Sequence, residues 1–237
     1  MQCKDNQYYY IFKWIDGKAL SSEEIKKEHC EQAGQILAKI HKIEQSEDQI
    51  IGNDICIDWD YYIDLANKNC PEISDILKDN RDLLYTSQNN GNVALRKVPA
   101  VKTICNGDMD SKNVLWVKGE PQIIDLECLN YGNPYMEMFQ LALCWSGYEN
   151  CNLDYELLNS FISSYRKVYG ELEVDWDVLY SSNMGRLEWL EYNLKRALMI
   201  ECLDAEEQKL GIAQVKETMD HITYYNLIKD ELLSNLN

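Results

Sequence analysis

Asp108, Asn113 five residues on and Asp125 twelve beyond that lie in two short polar runs, Asn106-Gly-Asp108-Met-Asp-Ser-Lys-Asn113 and Ile124-Asp125-Leu-Glu127. The segment between the runs reads as a β-hairpin, and strand pairing has no use for these carboxylates and amides. Transfer of a phosphoryl group to a hydroxyl does need such a set. One carboxylate must orient the acceptor hydroxyl and take its proton. A second carboxylate and an amide oxygen must hold Mg²⁺ against nucleotide phosphates, because hard cations take oxygen ligands. Gly107 permits a tight turn just before Asp108. Asn-Gly-Asp alone is an ordinary turn, so the meaning rests on the whole combination.

The flanking elements must position these groups. Val101–Cys105 reads as a short strand leading into the first run, and Val114–Val117 and Gln122–Ile124 as hairpin strands joined by the turn Lys118-Gly-Glu-Pro121. Asn133-Pro134 opens a helix, since proline is preorganised for a first helical position. Upstream, the aromatic and β-branched stretch Tyr8–Ile15 reads as a strand ended by Asp16-Gly17. Ser21 and Glu24 form a capping box, and a helix should follow to about Ile43 with Ala33, Ile36, Leu37 and Ile40 on one face. Further helices are expected over Trp59–Lys68 and from Pro71 to about Ser87, with Gln88–Asn92 as a loop. Beyond the hairpin, helices are expected over Asp154–Val168, Asp175–Leu203 and Gly211–Leu233, with Gly170 at a helix end that calls for positive φ. The fold class is α+β and mainly helical, without repeats, low-complexity linkers or a clear domain boundary.

Composition narrows the partners. A formal charge of −17 over 237 residues opposes nucleic-acid binding, which needs a basic footprint, and favours cationic small molecules. The longest apolar stretch, around Met138–Trp145, is too short to span a bilayer, so no membrane association is expected. The first residues lack the basic-then-apolar pattern of a secretory signal. Nine scattered cysteines with no CxxC pair and no clustered His argue against a disulfide framework or a zinc site and for the cytoplasm.

The ordered set resembles the signature of the aminoglycoside phosphotransferase and choline kinase family: His-Gly-Asp-x-x-x-x-Asn, a hairpin, then Ile-Asp-x-Glu. The resemblance implies the larger lobe of a protein-kinase-like fold, with a small catalytic hairpin, ATP as co-substrate and Mg²⁺ as cofactor. It makes Asp108 the base, with Asn106 at the motif-histidine position, and Asn113 and Asp125 the ligands for the metal and its nucleotide. The family's Gly-x-Pro segment is similar to Gly132-Asn-Pro134-Tyr-Met-Glu137, which would make Glu137 the carboxylate that braces the catalytic loop. Leu37-Ala-Lys-Ile-His41 is similar to the family's Leu-Ala-x-Leu-His helix end, and His41 reads as a hydrogen-bonded core histidine and brace rather than a catalyst. Trp145, Tyr148, Trp176 and Trp189 read first as packing residues.

Two departures qualify the resemblance. Asn106 replaces the motif histidine, and no Gly-x-Gly-x-x-Gly or strand lysine is found. Residues 1–17 therefore read as the remnant of a nucleotide-binding lobe and its hinge, residues 18–237 as the catalytic lobe, and the rest of the small lobe as a missing segment. The implied acceptor site lies between the catalytic loop and the C-terminal helices. There Asp110, Glu188, Glu191 and Trp189 would favour a hydroxyl on an amine-bearing, aminoglycoside-like molecule. The other reading is a non-catalytic remnant that binds a ligand or a protein.

Overall fold

A computed structural model describes residues 2–4, 7–9, 13–50, 52–200, 202 and 204–236. Spacing explains most of its helices. In α1 (Lys27–His41) the buried residues Cys30, Ala33, Gly34, Leu37, Ala38 and His41 recur at three and four, a stripe that must face a core. In α6 (Tyr155–Tyr169) Leu158, Phe161, Ile162 and Tyr165 do the same, and α1 packs along α6. Helix α5 (Pro134–Cys144) lies beside both and completes this half of the core around Phe139 and Trp145. A second cluster joins α2 (Trp59–Asn69), α3 (Pro71–Asp79), α8 (Gly185–Ala197) and α9 (Ala205–Leu227) through Trp59, Ile73, Leu77, Leu190, Leu194 and Met219. Met136 of α5 packs against both clusters. The C-terminal α10 (Lys229–Leu236) buries Leu232 in the first. Among the described residues no helix is long and apolar enough to cross a membrane.

Among the described residues, six short strands make three antiparallel pairs. β1 (Gln2–Lys4) pairs with β2 (Gln7–Tyr9), β3 (Thr103–Cys105) with β6 (Asn130–Gly132), and β4 (Val114–Val117) with β5 (Glu120–Ile123). The β4–β5 turn contains only Lys118 and Gly119, both with positive φ, as a two-residue hairpin turn requires. It is tighter than expected, and Glu120 and Pro121 join the strand. Pro121 is tolerated because its partner Trp116 turns its own N–H and C=O toward Lys18.

Several expectations shift. The capping box is present, with the Ser21 N–H donating to Glu24 at 3.1 Å, but it closes one 3-10 turn and α1 starts at Lys27. Of the strand expected over Tyr8–Ile15, Tyr8 and Tyr9 are in β2 and residues 10–12 lie outside the described set. Residues 13–15 have no strand partner among the described residues and are irregular, with Trp14 86% exposed. The helix expected from Pro71 breaks at Asn80, and Gln88–Asn92 is helical within α4 (Arg81–Leu95). The reason is tertiary. Gln88 and Asn92, one turn apart, bind the extended backbone of Ile57 and Ile55 through both ends of their amides. Gly91 lies so close to Met184 that a Cβ would meet its sulfur at 1.9 Å. The helix expected over Asp175–Leu203 divides at Asn183, which leaves helical geometry between α7 (Trp176–Ser182) and α8; Leu203 is outside the described set. The next divides at Ile228, and its first part starts earlier than expected because Asp204 caps α9. Gly170 ends α6 with φ +119, as its position demanded.

Candidate functional site

Strand β3 delivers the chain into the loop Asn106–Asn113, and that loop is tied down from three sides. Glu137, in the first turn of α5, accepts the N–H of Asn106 at 3.2 Å and of Gly107 at 2.5 Å. Its Oε2 also lies 2.6 Å from Nε2 of His41, whose Nδ1 is 2.7 Å from the Tyr165 hydroxyl. Burial pushes the Glu137 carboxyl up, but the bonds from His41 and the Gly107 amide outweigh it and hold the group below the usual range. Gly107 has φ +84, and a Cβ there would stand 2.7 Å from the Cys128 carbonyl, so only glycine fits. Trp145, fully buried at the end of α5, donates its indole N–H to the Met109 carbonyl at 2.9 Å. Trp145 read only as packing from the sequence; its bond to the loop had no local signal.

Within the loop, Asn106 is buried. Its Oδ1 accepts the Asp108 N–H at 3.1 Å, while its Nδ2 has no acceptor among the described residues. Asn113, also buried, donates its amide to the Asp108 carbonyl at 2.9 Å and to Asp108 Oδ2 at 2.8 Å. This directs the Asn113 Oδ1 away from Asp108. Asp110 caps the 3-10 turn Ser111–Asn113 by accepting the Lys112 N–H at 3.1 Å. The Lys112 ammonium lies 2.8 Å from Asp110 Oδ2 and 3.5 Å from Asp108 Oδ1. Lys112 was not singled out in the sequence.

The hairpin register explains how the distant Asp125 arrives. Val114 faces Ile123, and the Ile124 N–H then donates to the Asn113 carbonyl at 3.0 Å, so Asn113 and Asp125 emerge at the same open end of β4–β5. Asp125 is exposed and left-handed, at φ 56 and ψ 67. A non-glycine residue in that region marks a site held by its surroundings. An amide oxygen and a carboxylate on one rigid hairpin are hard donors and suit Mg²⁺, which needs few protein ligands. A different cluster, His41, Cys105 and Glu137, also brings possible ligand atoms together. Both nitrogens of His41 and both oxygens of Glu137 are already bonded, and burial first, then Glu137, pushes the Cys105 thiol up to about 12. That cluster fits a brace, not a metal centre.

Beside the loop a cleft of about 400 Å³ opens between α5 and α8, lined by Asp110, Gln140, Cys144, Tyr148, Arg186 and Trp189 among others. Arg186 is ion-paired with Glu149 and stands over the Tyr148 ring. Trp189 is 41% exposed and stacks on Tyr192, so it is not a core residue, whereas Trp145 and Tyr148 are buried. An adjoining hollow of about 330 Å³ shares Gln140 and Asn183 and is lined by Glu188. The structure thus brings Asp110 and Trp189 into one cleft and puts Glu188 next door. Glu191 is turned toward α2, where it accepts the Tyr62 hydroxyl at 2.8 Å, and lies 3.8 Å from Lys195.

The profile of the APH family, described as the phosphotransferase enzyme family, matches residues 2–173. The chain belongs to this family. No curated protein matches it. Among solved structures, this phosphotransferase-family chain is similar to an aminoglycoside phosphotransferase from Alicyclobacillus acidocaldarius, at 13% identity and a TM-score of 0.56, over 92% of this chain and 70% of that one. It is similar to spectinomycin phosphotransferase APH(9)-Ia in complex with ADP and spectinomycin, at 13% identity and a TM-score of 0.61, over 90% and 70% of the two chains. It is also similar to a Plasmodium vivax ethanolamine kinase, at 18% identity and a TM-score of 0.53, over 89% and 66%. These likenesses show the fold: a mainly helical α+β chain of the protein-kinase-like kind.

Proposed function

We propose that the protein transfers the γ-phosphoryl group of ATP to a hydroxyl of a small, amine-bearing molecule in a magnesium-dependent reaction. The observation that carries this reading is the fixed relation of Asp108 to Asn113 at the base of a hairpin whose other strand ends in Asp125. Phosphoryl transfer is chiefly positioning and charge stabilisation, and a loop held by Glu137, Trp145 and Asn113 supplies positioning. Asp108 orients the acceptor hydroxyl and takes its proton. Asn113 and Asp125 would hold the magnesium ion, which supplies charge neutralisation at the nucleotide phosphates. Asn106 sets the Asp108 backbone, and Glu137 with His41 braces the loop.

The acceptor enters the cleft beside Asp110, against the exposed face of Trp189, with Glu188 in reach of a longer molecule. The net charge of −17 concentrates cations around the protein. Two of the similar structures are named for spectinomycin and ethanolamine, and an amine-bearing acceptor is in keeping with both. In this reading residues 18–237 are the catalytic lobe and residues 1–17 the side toward the nucleotide. Free thiols at Cys30, Cys56, Cys70, Cys105, Cys128, Cys144, Cys151 and Cys202 suit a reducing, ATP-containing cytoplasm. The test is transfer of label from γ-labelled ATP to a panel of aminoglycosides, choline, ethanolamine and neutral or anionic sugars. Labelling of an amine-bearing compound is expected; labelling of anionic sugars alone would contradict the choice of acceptor.

A further inference from the structure

Lys112 faces both loop carboxylates, and the hairpin set has no evident need of it. Its backbone N–H already satisfies Asp110 within the 3-10 turn, so the ammonium is not required to close that turn. The side chain is 68% exposed, and exposed ion pairs add little to stability. What the ammonium does change is local charge. Asp108 and Asp110 would otherwise set two uncompensated carboxylates where a polyanionic nucleotide has to approach. The two oxygens of Asp108 are also unequal. Oδ2 holds the Asn113 amide at 2.8 Å, whereas Oδ1 has the longer contact of 3.5 Å to the mobile-stemmed Lys112.

We propose that Lys112 is a further catalytic residue, whose ammonium passes from Asp108 Oδ1 to an oxygen of the transferring phosphoryl group. This rests on the phosphotransferase reading above. Arrival of the γ-phosphate draws the ammonium off Oδ1 and leaves that oxygen facing the acceptor hydroxyl. The acceptor oxygen then forms its bond to the γ-phosphorus as the bond from that phosphorus to the ADP oxygen breaks. The hydroxyl proton goes to Asp108 Oδ1, the bonding electrons leave with ADP, and Lys112 keeps its three protons throughout.

The test is a ³¹P NMR titration of the whole protein with MgATP and with MgADP at millimolar nucleotide, where weak binding is measurable. Wild type, Lys112→Ala and Lys112→Arg are compared, with thermal midpoints as a check on folding. Loss of one charged contact should weaken MgATP binding of Lys112→Ala roughly tenfold or more while changing MgADP binding less than about twofold. Lys112→Arg should stay close to wild type for both, and all three midpoints should agree. Equal weakening of both nucleotides in Lys112→Ala, or no weakening of either, would overturn the role of Lys112 and leave the phosphotransferase reading standing. Failure of the wild type to bind either nucleotide would contradict that reading, and this role with it.

Discussion

The side-chain amide of Asn113 grips Asp108 twice, at its backbone carbonyl and at Oδ2, 2.9 and 2.8 Å away. One residue thereby fixes both the main chain and the carboxylate of the proposed base, while its own carbonyl oxygen points elsewhere. Asn113→Ala should cost about 1–2 kcal/mol, the usual scale for hydrogen bonds lost at a buried amide. Urea denaturation measures it. An unchanged midpoint would mean that these bonds do not hold the loop.

The acid side of the stability profile reports on Glu137. A carboxyl held below its ordinary range in the folded state adds stability that is fully present above its unfolded value of about 4.3. That stability is lost as pH falls through the lower folded value. Glu137→Gln should therefore be less stable than wild type near neutrality, with the gap closing in acid. Thermal midpoints between pH 3 and 7 check this, and a gap independent of pH would exclude the ionised brace.

How much of this was legible in the sequence depended on whether the cause was local. The grouping of Asp108, Asn113 and Asp125 could be read because only a short loop and a tight hairpin separate them, within eighteen residues. Pro134 and Gly170 announced helix ends for equally local reasons. Gln88–Asn92 misled because its amides look like loop chemistry until Ile55 and Ile57 lie alongside to receive them. The bond from Trp145 to Met109 spans 36 positions, and no spacing rule reaches that far. Glu188 and Glu191 share helical spacing, but only the packing of α2 shows that Glu191 is committed to Tyr62.

That last difference gives a prediction for the proposed acceptor cleft. Trp189→Ala should raise the acceptor KM roughly two- to tenfold, the range for loss of one aromatic contact, with little change in kcat. Glu191→Gln should leave KM alone, because its carboxylate is turned toward Tyr62. Steady-state kinetics on both variants separates the outcomes. A raised KM in Glu191→Gln with none in Trp189→Ala would move the acceptor site away from this cleft.

The most direct measurement is the rate of γ-phosphoryl transfer by wild type and Asp108→Asn at saturating magnesium, ATP and the acceptor found by labelling. Asparagine keeps the shape of the side chain and can still meet the Asn113 amide through its own oxygen, but it cannot take the hydroxyl proton. The expected result is a fall in kcat of roughly a hundredfold to ten-thousandfold, with the acceptor KM nearly unchanged. Transfer by Asp108→Asn at the wild-type rate would contradict the assignment of Asp108 as the base, and with it the proposed site.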